Sequence, residues 1–289
     1  MNDKTLKADL SLLLVAAIWG STFVIVKNAT ADMPTFTFLA IRFAIAALAL
    51  ALLRRRLEVW KNPKLWIDGF FIGIFLFLGY VLQTLGLQHT SAAKTGFITG
   101  LYVVIVPIIV AFAEKKVPNK ATIMGIIIAT FGLGLLSLDG LSISQGDFLV
   151  LLCAFAFAAH IYVVSILSKK YDSIAITTIQ LLTVSFLSFI SMFFFETNAT
   201  ITWSSNVYLG LLLTAIPATS IAFWMQNNYQ KYTTPTHTAL IFASEPVFAY
   251  IFAFALAGEI LTIQYTIGAI LILGGILLAE LSPKLKRAT

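Results

Sequence analysis

Charge is scarce in this sequence. Of its 289 residues only 11% are Asp, Glu, Lys or Arg, and 59% are apolar, whereas a soluble domain carries roughly a quarter charged residues. So few charges cannot coat a water-exposed globule of this size. Cysteine is scarcer still. Cys153 stands alone inside an apolar run, which excludes an intrachain disulfide and reads as a buried, inert thiol. The three histidines are scattered and no H-x-x-x-H or C-x-x-C spacing occurs, so no metal or other cofactor is expected. A G-x-x-x-x-G-K-S/T loop is also missing, which argues against direct coupling to ATP by this chain. The net charge of +6 does not make a nucleic-acid binder, because the basic residues sit in small groups between apolar runs and form no continuous basic face.

What the sequence has in quantity is long apolar runs, with a mean hydropathy of +0.93. About 20 mostly apolar residues cross a bilayer as a helix. Ten such stretches are legible, at 9–28, 34–54, 66–88, 91–113, 120–138, 147–168, 173–195, 207–229, 234–257 and 262–281. The fold class expected is therefore all-α, a polytopic membrane protein. A closed barrel would need alternating segments of about ten residues. The first run follows Lys4 and Lys7 but continues from about Leu10 to Val26, too long for a typical signal peptide, and reads as a retained span.

Lys and Arg set the orientation. Lys4, Lys7, Arg54 to Arg56, Lys61, Lys64, Lys115, Lys116, Lys120, Lys169, Lys170, Lys231, Lys284, Lys286 and Arg287 all fall on one side of this ten-span layout. The opposite loops carry Asp32, Asp139, Asp147, Glu196 and Glu259. Both termini are expected on the cytoplasmic face of a bacterial inner (cell) membrane, the bacterial setting resting on the resemblance below.

The chain also repeats. Asp9-Leu-Ser-Leu-Leu-Leu can be laid on Asp147-Phe-Leu-Val-Leu-Leu, and Gln83 to Thr90 on Gln226 to Thr233. Gly125 and Gly132 similarly match Gly268 and Gly275. The domain division expected is 1–139 and 140–289, five spans each. An odd span number inverts the second half relative to the first. Inverted repeats place a pocket near the bilayer midplane and open it to alternate sides.

Several motifs resemble those of the drug/metabolite transporter superfamily in its ten-span EamA branch, over nearly the whole chain. Trp19-Gly20-Ser21, Arg42, Thr90-Ser91-Ala92-Ala93 and Ser244-Glu245-Pro246-Val247-Phe248 followed by Gly258-Glu259 carry the likeness. The first half departs from it, with Tyr102 in the place matching Glu245. The resemblance implies an exporter of amino acids or related small metabolites.

Several residues could carry chemistry. Glu245 falls mid-span, where an ionised, unpaired carboxyl costs several kcal/mol. It reads either as a substrate contact or proton carrier, or as a structural carboxyl bonded between helices. His160, mid-span in its helix, reads as a proton relay or as a bonded core histidine. Arg42 reads as a gating or structural ion pair, with Glu245 or with a substrate carboxylate as the partner, or as a side chain snorkelling outward. Lys94, at a span edge, is grouped with it as a gating or selectivity residue. Tyr80, Gln83 and Thr84 share one helix face. With Trp19, Ser21, Tyr102, Trp224 and either Gln226 or Asn227, Asn227 being the one chosen, they read as a cavity lining or as plain helix packing. Pro107, Pro217 and Pro246 are candidate hinges, each removing a helix hydrogen bond. The expected partners are a small-molecule substrate, the lipid bilayer and, where transport is coupled, protons, in a monomer or homodimer. The leading function is a secondary transporter and not an enzyme; a non-transporting scaffold or receptor is the alternative.

Overall fold

The computed structural model describes residues 3–53, 57–137, 144–197, 200–257 and 263–285. The Gly258-Glu259 motif, Arg54 to Arg56, Asp139, the 139/140 boundary, Lys286 and Arg287 lie outside the described residues. Among those described, all regular structure is helical. The helices are α1 (Asp3–Gly20), α2 (Phe23–Asp32), α3 (Thr35–Leu53), α4 (Pro63–His89), α5 (Ala92–Gly100), α6 (Tyr102–Glu114) and α7 (Lys120–Ser137). There follow α8 (Gln145–Leu167), α9 (Ser173–Phe195), α10 (Ser205–Ala215), α11 (Ala222–Tyr229), α12 (Pro235–Phe242), α13 (Glu245–Ala257) and α14 (Ile263–Leu285).

Seven helical segments are long and apolar enough to cross a membrane, namely Lys4–Asp32, Thr35–Leu53, Pro63–His89, Lys94–Glu114, Gln145–Lys170, Ser173–Phe195 and Ser205–Tyr232. Two shorter apolar helices are Lys120–Leu135 and Ile263–Ala279. Exposure follows the pattern of a protein solvated by lipid. Phe112, Phe131 and Phe194 are exposed, while Arg42, His160, Gln226, Gln230 and Glu245 are buried. Water would penalise both halves of that arrangement.

Helix starts are fixed by short polar side chains. Asn62 accepts from the Lys64 amide at 3.0 Å ahead of Pro63, and Ser91 accepts from the Lys94 amide at 3.1 Å. Ser144 and Asp147 form a reciprocal capping box, and Thr234 accepts from the His237 amide at 3.2 Å. Each supplies an acceptor to a first-turn N–H that has none within its helix.

Four stretches that the sequence presents as single spans are interrupted. α1 gives way to α2 over Ser21 and Thr22, α5 to α6 at Leu101, and α12 to α13 over Ala243 and Ser244. Between α10 and α11 the helix widens into a π-helical segment, Ile216–Ile221. Hydropathy does not register such breaks, because the residues at them remain apolar or small.

Two close backbone approaches organise the packing. α7 lies on α14. A Cβ on Gly125 would stand 2.5 Å from the Gly275 carbonyl, and one on Gly132 would stand 2.6 Å from the Gly268 carbonyl. α1 lies on α13, where a Cβ on Gly20 would stand 2.5 Å from the Glu245 carbonyl and 2.9 Å from the Ala249 nitrogen. Only glycine allows these helices to approach so closely. At one membrane edge the Tyr171 hydroxyl donates to Asp68 at 2.7 Å. Its burial and that carboxylate push it up to about 12, so it remains a donor at physiological pH.

Candidate functional site

A cavity of about 60 Å³ lies among α1, α2, α3, α4, α5, α6, α8, α11, α12 and α13. Its walls are aromatic. Trp19 meets Phe223 at 5.3 Å and Phe242 at 5.0 Å between ring centroids. Tyr80 meets Phe157 edge-on at 5.4 Å and Phe43 at 4.9 Å. Such tilted and edge-on contacts suit the ring quadrupoles and hold the walls in place.

The π-helical segment anchors two of the lining side chains. The Trp19 indole Nε1 donates to the Ala218 carbonyl at 2.9 Å, and Arg42 Nε donates to Thr219 Oγ1 at 2.9 Å. A π-turn widens the helix and re-aims backbone groups; here it holds a tryptophan and an arginine at one wall. The Arg42 guanidinium also lies 4.9 Å from the Tyr80 ring centroid and 5.4 Å from that of Phe43.

Glu245 is the first residue of α13 and is buried against the cavity. The break before it is fixed by the Ser244 hydroxyl donating to the Ile241 carbonyl at 2.6 Å. The close approach of Gly20 sets the height of this helix start. The Tyr102 hydroxyl interacts with the carboxyl but completes no hydrogen bond, and is itself buried without a partner. Among the described residues no cation pairs with Glu245. Arg42 is held by a hydroxyl and two rings instead, so the pair with Glu245 drawn from the sequence is not formed.

The sequence-predicted residues divide cleanly. Glu245, His160, Trp19, Tyr80, Gln83, Tyr102 and Arg42 line the cavity together. Ser21, Trp224, Asn227 and Lys94 do not. The Ser21 hydroxyl turns back to the Ile18 carbonyl at 2.7 Å, satisfying the α1 break. Trp224 packs between two apolar clusters. Asn227 is fully buried and donates to the Phe223 carbonyl at 2.9 Å; its neighbour Gln226 takes the lining position. Lys94 sits 3.8 Å from Asp147 Oδ2 at the cap of α8. His160 Nε2 lies 3.1 Å from Gln180 Oε1. Among the prolines, Pro246 opens α13, where its missing N–H has no intrahelical acceptor to lose. Pro107 lies inside α6, and Pro217 lies in the π segment.

Sequence reasoning missed Thr22, Phe23, Val26, Leu87, Thr99, Phe157, Ile161, Phe223 and Phe242 as lining residues. A signal existed for one of its choices. Laying Gln83 on Gln226 places Tyr80 on Phe223, so the repeat register itself selects Gln226 over Asn227.

Lipid-exposed helices around a buried cavity that holds a cation, a carboxyl and amides define a polytopic membrane protein of the transporter class. A family model described as the EamA-like transporter family matches residues 6–138 and again 144–281. The chain belongs to that family, within the drug/metabolite transporter superfamily. It is 40% identical over 279 residues to an uncharacterized transporter of Archaeoglobus fulgidus, covering 96% of this chain and 87% of that protein. It is 27% identical to the uncharacterized transporter YoaV of Bacillus subtilis, over 93% of this chain and 95% of the relative. A solved crystal structure matches 95% of this chain and 96% of its own at TM-score 0.79 and 19% identity, a likeness of fold.

Proposed function

We propose that the protein is a secondary transporter that carries amino acids or related small metabolites outward by alternating access. In this reading it has ten crossings: the seven long segments, the two shorter apolar helices, and the α12–α13 pair. Both termini face the cytoplasm, and residues 1–139 and 140–289 form oppositely inserted halves around the cavity.

The observation that carries the reading is how the cavity lining distributes between the halves. In the repeat registers read from the sequence, Trp19 matches Phe157, Thr22 matches His160, and Phe23 matches Ile161. Tyr80 matches Phe223, Gln83 matches Gln226, Thr99 matches Phe242, and Tyr102 matches Glu245. All fourteen border the same cavity. The α7–α14 contact supports the same relation. Gly125 meets Gly275 while Gly132 meets Gly268, a reciprocal exchange of equivalent residues of the kind a two-fold axis imposes. A binding site on such an axis can open to either side without being rebuilt.

The chemistry of the lining supports a small zwitterionic solute. Arg42 and Glu245 border one space without pairing with each other, and Gln226 Oε1 is buried without a hydrogen-bond partner. Unsatisfied polar groups of this kind are costly unless a solute or water engages them.

The test is a thermal-shift screen of the purified protein against proteinogenic amino acids, nucleosides and sugars, followed by flux in proteoliposomes. The expected result is a melting-temperature rise with at least one amino acid and saturable flux of the same compound. Binding without flux favours the receptor or scaffold reading; single-channel currents would replace the carrier by a channel.

A further inference from the structure

Four lining residues of the cavity have counterparts that do not line it. Val26, Arg42, Thr84 and Leu87 border the space, whereas Val164, Gln180, Asn227 and Gln230, which match them in the same registers, are buried outside it. All four lie toward the membrane face where α2 and α4 end, beside Lys27 and Thr90. Their counterparts lie toward the face of Lys169, Lys170 and Lys231. The cavity therefore lies nearer the first face, though its four bordering residues there are themselves buried, and a packed wall separates it from the second.

The seal is a chain of buried amides, whereas the other end carries an exposed lysine bond, Lys27 Nζ to the Thr90 carbonyl. Gln226 Nε2, at the cavity wall, donates to Gln230 Oε1 at 3.0 Å, and Gln230 Nε2 donates to the Ile161 carbonyl at 2.6 Å. This chain ties α11 to the backbone of α8, and Gln230 is fully buried within it. Beside it His160 and Gln180 tie α8 to α9 at 3.1 Å. The matching groups on the first side make no bond from α4 to α1 or α2. Gln83 donates to Thr99 at 3.2 Å instead, Leu87 has no polar atom to offer α1 or α2, and Thr22 returns its hydroxyl to the Trp19 carbonyl at 2.8 Å.

Resting on the alternating-access reading, we propose that Gln230 is the residue that locks the gate on the lysine-rich face, by hydrogen-bonding α11 to α8. The opposite gate closes by apolar contact of Phe23 with Leu87, and the bond between α2 and the end of α4 there, Lys27 Nζ to the Thr90 carbonyl at 3.0 Å, is exposed at the edge and not buried in the wall. The two gates of a symmetric scaffold are thus held by different forces. Removing the Gln230 amide weakens only the hydrogen-bonded gate, which shifts the conformational equilibrium in one direction.

The test uses the full chain in proteoliposomes in a Cys153→Ala background, with a small membrane-impermeant thiol reagent applied to one face at a time. Thr84→Cys reports on the open side and Asn227→Cys on the sealed side. With Gln230 intact, Thr84→Cys reacts from the face of Thr90 and Asn227→Cys stays unreactive from the lysine-rich face. Adding Gln230→Ala is expected to raise Asn227→Cys labelling roughly tenfold, the population shift for losing about one net hydrogen bond, and to lower Thr84→Cys labelling. Loosening of the whole fold would raise both, and an uninvolved Gln230 would change neither; either result overturns the proposal. Leu87→Ala, the matched control, should leave Asn227→Cys protected, and labelling there would equally overturn it. Reciprocal labelling in a protein that carries no solute would leave the gate standing and remove the transport reading. Flux with Asn227→Cys labelling unmoved by Gln230→Ala would do the opposite.

Discussion

The two ends of the cavity are built from matching positions and end up in opposite conditions. Thr84 and Leu87 border empty space, whereas Asn227 and Gln230 are packed into a hydrogen-bonded wall. In the register read from the sequence Trp19, Thr22 and Gln83 match Phe157, His160 and Gln226, and all six face the void. A difference confined to the outermost pairs, over a shared centre, is what a carrier caught on one side of its cycle would display. Packed interfaces shift between discrete arrangements rather than deforming continuously, so one end can close while the other opens.

That comparison can be broken at several points. The largest effect is expected at Arg42, where the open end holds a guanidinium and the sealed end holds Gln180. Arg42→Ala removes the bond to Thr219 and the contact with two rings. It should cost about 2–4 kcal/mol of stability and lower flux by roughly a hundredfold or more, read from melting temperature and proteoliposome uptake. A stable, fully active variant would reject its role. Glu245→Gln comes next. With no cation paired to it among the described residues, the carboxyl is expected to act on solute or protons, so the amide should lower flux about tenfold or flatten its pH dependence while leaving the fold intact. Unchanged flux with an unchanged pH profile removes Glu245 from the machinery.

Gly20→Ala should be smaller and mostly structural. Its Cβ would strike the Glu245 carbonyl at 2.5 Å, so the expected loss is about 1–3 kcal/mol, with a matching fall in flux as α13 is displaced. Gly96→Ala is the control, since nothing lies within 3.8 Å of the added atom; stability should move by less than about 0.5 kcal/mol. If both glycines behave alike in a melting experiment, helix propensity and not the α1–α13 contact governs them. Smallest of all is Ser21→Ala. Its hydroxyl serves only the local carbonyl of Ile18, so flux should stay within about twofold of the parent.

Much of this was legible without coordinates. The scarcity of charge and the long apolar runs specify a helical membrane protein on solvation grounds alone. Residues whose polarity is hard to place in lipid were found for the same reason: Glu245, Arg42, His160, Gln83, Tyr80 and Tyr102 all border the cavity. The aromatic wall was not legible, because Phe157, Phe223 and Phe242 look like any other apolar residue facing lipid or a neighbouring helix. Trp224 was chosen where Phe223 lines the space, an error of one residue in helical phase. A residue earlier or later in a helix points about 100° away, and in an apolar helix no polar stripe marks the zero. Ser21 failed for a different reason. A hydroxyl at a helix break has a backbone carbonyl close by, and that local bond satisfies it before any cavity can.

The interruptions at Leu101 and at Ala243 and Ser244 were also hidden, yet they place Tyr102 and Glu245 at matching helix starts. Pro246 hinted at the second, and Gly100 beside Leu101 hinted at the first.

The account turns on a site shared by both halves and reached from either side in turn. Counterflow measures this directly: proteoliposomes preloaded with the unlabelled amino acid that stabilises the protein are given a trace of labelled solute outside. An alternating-access carrier accumulates label transiently, because exchange through one site outpaces net movement. Uptake that only approaches equilibrium without an overshoot, and that does not saturate, would contradict the carrier and leave an open pore or a protein that binds without transporting.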